Sequence, residues 1–437
     1  MNRRFSIPLG FLALIAAGAA ALASPWARAE GVWGDAGNAL FTACSAVCVT
    51  GLTVVDIAQE FSLSGQVALL TLVEIGCLGL MTFSTFLLVA IGRRLSLARE
   101  FSLMNAYGVA EIQGLKGLIL WVVGTMAVAE GAGTLLLYVR FRDWYLSFFY
   151  AVMSFCNAGF GLFPGSLARF ADDPYVLFVL AGETILGGIG FLVVYNLCSF
   201  RFVRKKGGVR GRISLHAAIV LRYSAYLLAA TFAAFLLVEW NASLGGFGFW
   251  KKLWVAFYQS VTPRTCGFCV IPTESLQPLT RHVYEALMFF GGGPGSAAAG
   301  IKVTTLAVLV ATLRAMCRGE QETIISRRAI PYDIVRESLV IVVAMLAFIW
   351  IAAGALSVTE AGRGTEASAL FFEAVSAVTT TGLSVGSTTP GLSPAGRIVV
   401  MLAMFAGRLG ALTVVLMIGD RESKRHVRFP SEEIVVG

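Results

Sequence analysis

Four glycines, Gly51, Gly159, Gly267 and Gly382, each close a short, mostly apolar run that opens on a phenylalanine ten positions earlier: FTACSAVCVTG, FYAVMSFCNAG, FYQSVTPRTCG and FEAVSAVTTTG. They stand 108, 108 and 115 residues apart, and four copies of one unit at so even a period imply four similar repeats in one chain. The turns end Val49-Thr50-Gly51, Asn157-Ala158-Gly159, Thr265-Cys266-Gly267 and Thr380-Thr381-Gly382. Glycine lets the backbone take positive φ or approach a neighbour without a Cβ clash. Four such turns around one axis can aim their carbonyls inward and replace the water shell of a dehydrated monovalent cation. A short helix before each turn would point its negative C-terminal end at that axis, which favours a cation over an anion. One helix-ending glycine is ordinary; four in matched register read as a selectivity filter.

A second motif follows each filter glycine by 25, 28, 25 and 25 residues: Gly76-Cys77-Leu78-Gly79, Gly187-Gly188-Ile189-Gly190, Gly292-Gly293-Pro294-Gly295 and Gly407-Arg408-Leu409-Gly410. Paired glycines let helices pack closely, and packing is a sufficient reading of the first two copies. The other two suggest a gate. The stretch 291–305 holds Gly291, Gly292, Gly293, Pro294, Gly295, Ser296 and Gly300, too many helix breakers for a stable helix, so an intramembrane loop is expected there. Lys302 lies within it, where an unpaired charge is expensive and usually functional. Arg408 occupies the position held by Cys77, Gly188 and Gly293 elsewhere. A guanidinium facing the pore would oppose cations and could hold the loop shut. The structural alternative is that Arg408 pairs with a buried acid such as Glu74 or Glu183.

The elements that must position these residues belong to a membrane. Of 437 residues 57% are hydrophobic and only 14% charged, whereas a soluble domain carries about 25% charged residues. Each turn run is too short to span a bilayer, which takes roughly 20 apolar residues, so each is read as a re-entrant helix lining a watery cavity. The expected fold class is an all-α polytopic membrane protein, four repeats of outer helix, pore loop and inner helix with pseudo-fourfold symmetry around one pore. The repeats are 1–92, 93–199, 200–318 and 319–419, followed by a polar tail, 420–437. About eight full crossings are expected, with outer helices near 7–24, 115–139, 223–242 and 337–358. The inner helices are placed near 65–91, 175–198 and 395–418, with a broken one over 282–316. The first apolar run resembles a signal peptide, but the other repeats each begin with a long helix, so it is read as retained.

Of the 34 lysines and arginines, 22 fall in the N-terminus, the inter-repeat linkers and the tail, the densest stretch being 200–222. This bias places those segments and both termini in the cytoplasm and the filters outside. The net charge of +8 therefore belongs to the cytoplasmic face and to anionic lipid headgroups, not to nucleic acid. The eight cysteines sit mostly inside apolar runs and outline no disulfide framework.

The chain resembles the bacterial Ktr/Trk potassium transporters and their plant and yeast HKT/Trk relatives over about 7–418. The motifs that carry the likeness are VTGLTVVD, SFCNAGF, SVTPRTCGF, AVTTTGL, GGGPGSAAAGIKVTT and FAGRLG. With no extra helix pair before the first repeat, it looks more like the Ktr-type membrane subunit than the longer Trk subunit. The resemblance implies potassium uptake across the inner membrane, and four glycines accompany K⁺ selectivity where a serine in the first turn accompanies sodium. It also implies a homodimer gated by a ring of cytosolic nucleotide-binding regulatory subunits, with Na⁺ as a coupling or activating ion. One departure is the alanine run Ala297–Ala299, where relatives carry small polar residues and glycine. The function is transport, not enzymatic. The competing readings are a sodium-selective or non-selective transporter of this architecture and, more distantly, a membrane thiol oxidoreductase using Cys266 and Cys269. His216, His282 and His426 are too scattered for a metal enzyme.

Overall fold

The computed structural model describes residues 6–92, 114–202 and 213–410. Arg93, Arg94 and Arg99 of the first linker, Arg204, Lys205, Lys206, Arg210 and Arg212 of the second, and the tail 420–437 lie outside the described residues. One order of elements comes round four times: outer helix, short helix, extended turn, inner helix. The outer helices are Ser6–Ala23, Gly114–Phe141, Leu215–Glu239 and Tyr332–Thr359, and the short helices are Ala36–Val47, Trp144–Cys156, Phe249–Val261 and Ala367–Val378. The inner helices are Leu63–Gly92, Pro174–Ile189 followed by Phe191–Phe202, Pro278–Phe289 followed by Val303–Cys317, and Pro394–Leu409. A small antiparallel hairpin, Ile324–Ile325 with Arg328–Ala329, joins the last two repeats.

Local chemistry starts these helices. Asp35 and Asp143 accept from Asn38 N at 2.7 Å and Leu146 N at 3.0 Å, capping the first two short helices. Three inner helices begin on proline, which has no N–H to leave unpaired there. The outer helix of the third repeat starts eight residues earlier than the expected 223, because Ser214 Oγ caps it by accepting from Ala217 N at 3.1 Å. Buried glutamates tie the outer helices of the last two repeats to the starts of their inner helices: Glu239 accepts from Gln277 N at 2.9 Å and Glu360 from Ser393 N at 3.1 Å.

Burial is arranged for lipid. Phe41, Phe149 and Phe372 of the short helices are buried, while the long helices expose Val128, Leu237, Trp350 and Ile351. Leu120–Phe141, Leu215–Glu239 and Tyr332–Thr359 are each long and apolar enough to cross a membrane, and the pair Pro174–Ile189 and Phe191–Cys198 would make a fourth, bent span. The first inner helix, Leu63–Gly92, is a continuous 30 residues, so these spans are not a count of the crossings of the whole chain. The inner helix of the second repeat, expected as one span over 175–198, turns by 96° at Gly190, whose φ is +94°. Its G-x-x-G motif therefore does more than pack. The first glycine does pack: a Cβ on Gly187 would overlap the carbonyl of Phe155, as one on Gly76 would overlap that of Val47 and one on Gly407 that of Val378. The close approach is to the end of the repeat's own short helix.

Candidate functional site

The four glycine turns meet in cyclic order. A Cβ on Gly51 would overlap Gly159 N, one on Gly159 would come to 2.7 Å from Gly267 Cα, one on Gly267 to 2.9 Å from Thr381 O, and one on Gly382 would overlap Thr50 O. The ring closes on backbone alone, so any side chain at these positions would separate two strands. Two residues before each glycine the chain is left-handed, with φ +53° at Val49, +57° at Asn157, +68° at Thr265 and +48° at Thr380. Asparagine tolerates that conformation, but β-branched valine and threonine rarely adopt it. Such strain costs about 1–3 kcal/mol per residue and gathers at functional sites. Left-handed residues alternating with ordinary ones turn successive peptide dipoles the same way, as a line of carbonyl ligands requires.

The turns are held from behind. Thr50 N donates to Ser45 O at 2.8 Å, Ala158 N to Met153 O at 2.8 Å and Thr381 N to Ser376 O at 2.9 Å. In the third repeat Thr262 Oγ1 donates across the turn to Phe268 O at 2.7 Å. Among the described residues the hydroxyls of Thr50, Thr265 and Thr380 are buried without a protein partner, leaving polar groups that could meet an ion or water.

Residue type only weakly marks the side chains that catch the chain as it leaves the second, third and fourth turns. Tyr150 Oη accepts from Leu162 N at 2.9 Å and Phe163 N at 3.2 Å, and Gln259 accepts from Val270 N at 3.0 Å and donates to Ile271 O at 3.2 Å. Glu373 accepts from Ser384 Oγ at 2.8 Å and from Thr389 Oγ1. Each is a polar residue inside an apolar run, a weak signal that could have been found only by asking what it pairs with.

In the next layer the inner helix of the third repeat stops at Phe289 and resumes at Val303. Between them the loop is tied at its neck by Gly291 N to Ile301 O and Ile301 N to Phe289 O, both 3.0 Å. It also occupies the break in the second inner helix. Gly293 N donates to Gly188 O at 2.8 Å, Ala297 N to Gly187 O at 3.1 Å, and Phe191 N to Gly295 O at 3.2 Å. The carbonyls that end a helix need donors, and here the loop supplies them. Gly292, Gly293, Ser296 and the alanines Ala297–Ala299 are buried, Pro294 and Gly300 partly so.

Two cations hold this loop by adjacent carbonyls. Arg408, 1% exposed, donates from Nη1 to Ala297 O at 2.9 Å and from Nη2 to Gly76 O at 3.1 Å, while Lys302 Nζ donates to Ala298 O at 2.6 Å. Neither Glu74 nor Glu183 bonds to Arg408 among the described residues. Backbone acceptors explain how an alanine run can serve here: the arginine needs the carbonyls, not the side chains. Cys266 and Cys269 lack the setting that activates a redox thiol. Cys266 lies beyond the negative end of a short helix, against Thr184 Oγ1 at 3.4 Å, where no positive helix end supports a thiolate.

A family model described as TrkH, cation transport protein, matches residues 34–427. The chain is 34% identical to the Ktr system potassium uptake protein B of Bacillus subtilis (strain 168), over 99% of this chain and 97% of that protein. It is 33% identical to the potassium/sodium uptake protein NtpJ of Enterococcus hirae, over 99% and 96%. The fold is similar to the crystal structure of the potassium transporter TrkH from Vibrio parahaemolyticus, with a TM-score of 0.77 at 16% identity, covering 96% of this chain and 85% of that one.

Proposed function

Because the chain belongs to the TrkH family of cation transport proteins, we propose that it takes up potassium across the cell membrane through the ring of four glycine turns. The observation that carries this reading is the cyclic closure of Gly51, Gly159, Gly267 and Gly382, with a left-handed residue in the same register of every turn. A K⁺ ion entering the ring sheds water and is coordinated by the carbonyls of Val49, Thr50, Asn157, Ala158, Thr265, Cys266, Thr380 and Thr381 and of the glycines themselves. The strained turns, held by the bonds behind them, keep those oxygens in place before the ion arrives. The short-helix C-termini add negative potential along the same axis.

Beneath the ring the loop from Gly291 to Lys302 and the side chain of Arg408 form the gate. The arginine keeps its proton under physiological conditions. A cation passing within about 5 Å of it at an effective dielectric near 20 meets a repulsion of about 3 kcal/mol. In the described arrangement the loop is docked under Arg408 and Lys302, and conduction requires its withdrawal. The filters face outward, the termini and basic linkers lie in the cytoplasm of an inner-membrane protein, and two copies associate. A cytosolic nucleotide-binding ring acts on the linkers and tail. The naming of several relatives as members of a Ktr system supports a multi-component assembly. Na⁺ is the coupling or activating ion.

A second reading, transport of sodium as well as potassium, is favoured by the name of the Enterococcus relative. Uptake of K⁺ and Na⁺ measured separately in cells lacking their own potassium transporters decides between them. Saturable K⁺ uptake that equimolar Na⁺ barely competes supports the first reading, and equal competition supports the second. Absence of K⁺ uptake from correctly inserted protein overturns both.

A further inference from the structure

Arg264 stands three residues before the third filter glycine, where the other repeats carry the short side chains Cys48, Cys156 and Thr379. The one repeat with a long cation at this position is also the one whose inner helix gives way to a loop. The guanidinium lies behind the filter, lining a small crevice with Thr184, Gly188, Leu228, Val261 and Gly292. Nη2 donates to Ser224 Oγ at 3.1 Å and to Gly291 O at 3.4 Å, and Nη1 donates to Ser224 O at 3.4 Å. Nε is buried without a partner, and no carboxylate bonds to this side chain among the described residues. Burying an unpaired charge is expensive, which argues that its placement serves more than packing.

Its bonds to Ser224 and Gly291, together with its own backbone, join three mechanical parts. Ser224 belongs to the outer helix of the third repeat, which supplies a fixed frame. Gly291 is at the neck of the loop, where its own N–H holds Ile301 O at 3.0 Å. On the chain itself Arg264 lies between Pro263 and the left-handed filter residue Thr265, in a turn latched by the Thr262–Phe268 bond. A turn so braced moves as a unit, so a shift at Gly291 O reaches Thr265 through this side chain.

We propose that Arg264 is a positioning residue that couples the loop to the filter, so that the loop's position sets the affinity of the third turn for K⁺. This rests on the reading of the ring as a filter and of the loop as its gate. A planar guanidinium suits the task because it spans two acceptors at once in a fixed fork, which a lysine cannot do.

The test uses full-length protein purified into liposomes, with K⁺ and Na⁺ flux measured against ion concentration for wild type, Arg264→Gln, Arg264→Lys and Ser224→Ala, each alone and with Arg408→Gln. Coupling between sites typically amounts to about 5-fold or more in affinity. The expected result is that Arg264→Gln raises KM for K⁺ about fivefold and lowers the K⁺/Na⁺ flux ratio while Vmax stays within about twofold. Ser224→Ala shifts KM in the same direction by less, and Arg264→Lys restores at most part of the wild-type value. Arg408→Gln, which frees the loop, changes KM when Arg264 is present and no longer does so beside Arg264→Gln. The proposal is overturned if Arg264→Gln lowers Vmax with KM unchanged, or if Arg408→Gln shifts KM equally in both backgrounds. Should Arg264→Gln fail to insert, the same comparison is made with Ser224→Ala and Arg264→Lys, and an unchanged KM in both overturns it. Wild-type protein without K⁺ flux would instead sink the filter reading itself.

Discussion

The glycine ring and the layer some 25 residues further along are built from the same four repeats, yet they treat the repetition in opposite ways. In the ring all four copies keep a left-handed residue in the same register, at Val49, Asn157, Thr265 and Thr380. In the second layer the copies diverge, although Gly190 and Gly410 share a positive φ at the end of their helices. The first inner helix runs on through Gly79, the second turns by 96° at Gly190, the third opens into a loop, and the fourth carries a buried arginine in its motif, at the edge of the described residues. An ion held by carbonyls needs equivalent oxygens on all sides, so the ring tolerates little difference. A gate needs one part that moves against others that do not, so its four copies must diverge.

The sharpest way to break this contrast is to put a side chain into the ring. Gly382→Ser would overlap Thr50 O and hold φ near +83°, and Gly51→Ser would overlap Gly159 N at φ +90°. Strain of about 1–3 kcal/mol adds to the overlap at Gly51, Gly267 and Gly382, and overlap alone acts at Gly159, so K⁺ uptake should fall by tenfold or more, with a lower K⁺/Na⁺ ratio, at all four positions. Paired K⁺ and Na⁺ uptake assays on the four serine variants check it. An unchanged ratio for Gly51→Ser would falsify the filter assignment.

Next in size is Arg408→Gln, or deletion of residues 296–300. Removing a barrier of about 3 kcal/mol should raise uptake by up to about a hundredfold and weaken dependence on any regulator. Slower transport from folded, inserted protein would leave Arg408 as a structural clamp between Ala297 and Gly76.

Two glycines at the same motif position sharpen the contrast further. Gly190→Ala places a Cβ 2.6 Å from Pro294 O at φ +94° and should destabilise the protein by about 1–3 kcal/mol. Gly79→Ala sits inside a helix, where alanine is favoured by about 0.5–1 kcal/mol, and among the described residues its Cβ meets the Phe11 ring at 3.3 Å. Thermal unfolding of the two purified variants should move in opposite directions, and equal destabilisation would show that the second layer is as uniform as the first.

The smallest effect on flux is expected from neutralising Arg204, Lys205 and Lys206. Each basic residue near an anionic surface contributes about 1 kcal/mol to attraction, so binding to anionic vesicles or to an acidic regulator should weaken while basal flux changes less than twofold. Unchanged affinity for both would place docking elsewhere.

Much of this molecule was legible in the chain because repetition and hydropathy are linear properties. The period of the Phe-to-Gly runs identified the four turns, and the concentration of Gly291, Gly292, Gly293, Pro294 and Gly295 placed the loop, since a run of helix breakers acts locally. The break at Gly190 was not legible. Its sequence, Gly-Gly-Ile-Gly, reads like any helix-packing motif, and the helix can end there because donors from residues 293 and 297, about a hundred positions away, satisfy its last carbonyls. Arg408 illustrates the same limit. Its type and register marked it as exceptional, but whether it would meet a carboxylate or two backbone carbonyls depended on which surfaces the four repeats brought together. Composition and period decide what each segment can be. Where a buried charge or an open helix end finds its partner is decided between segments, by packing that no single stretch of sequence contains.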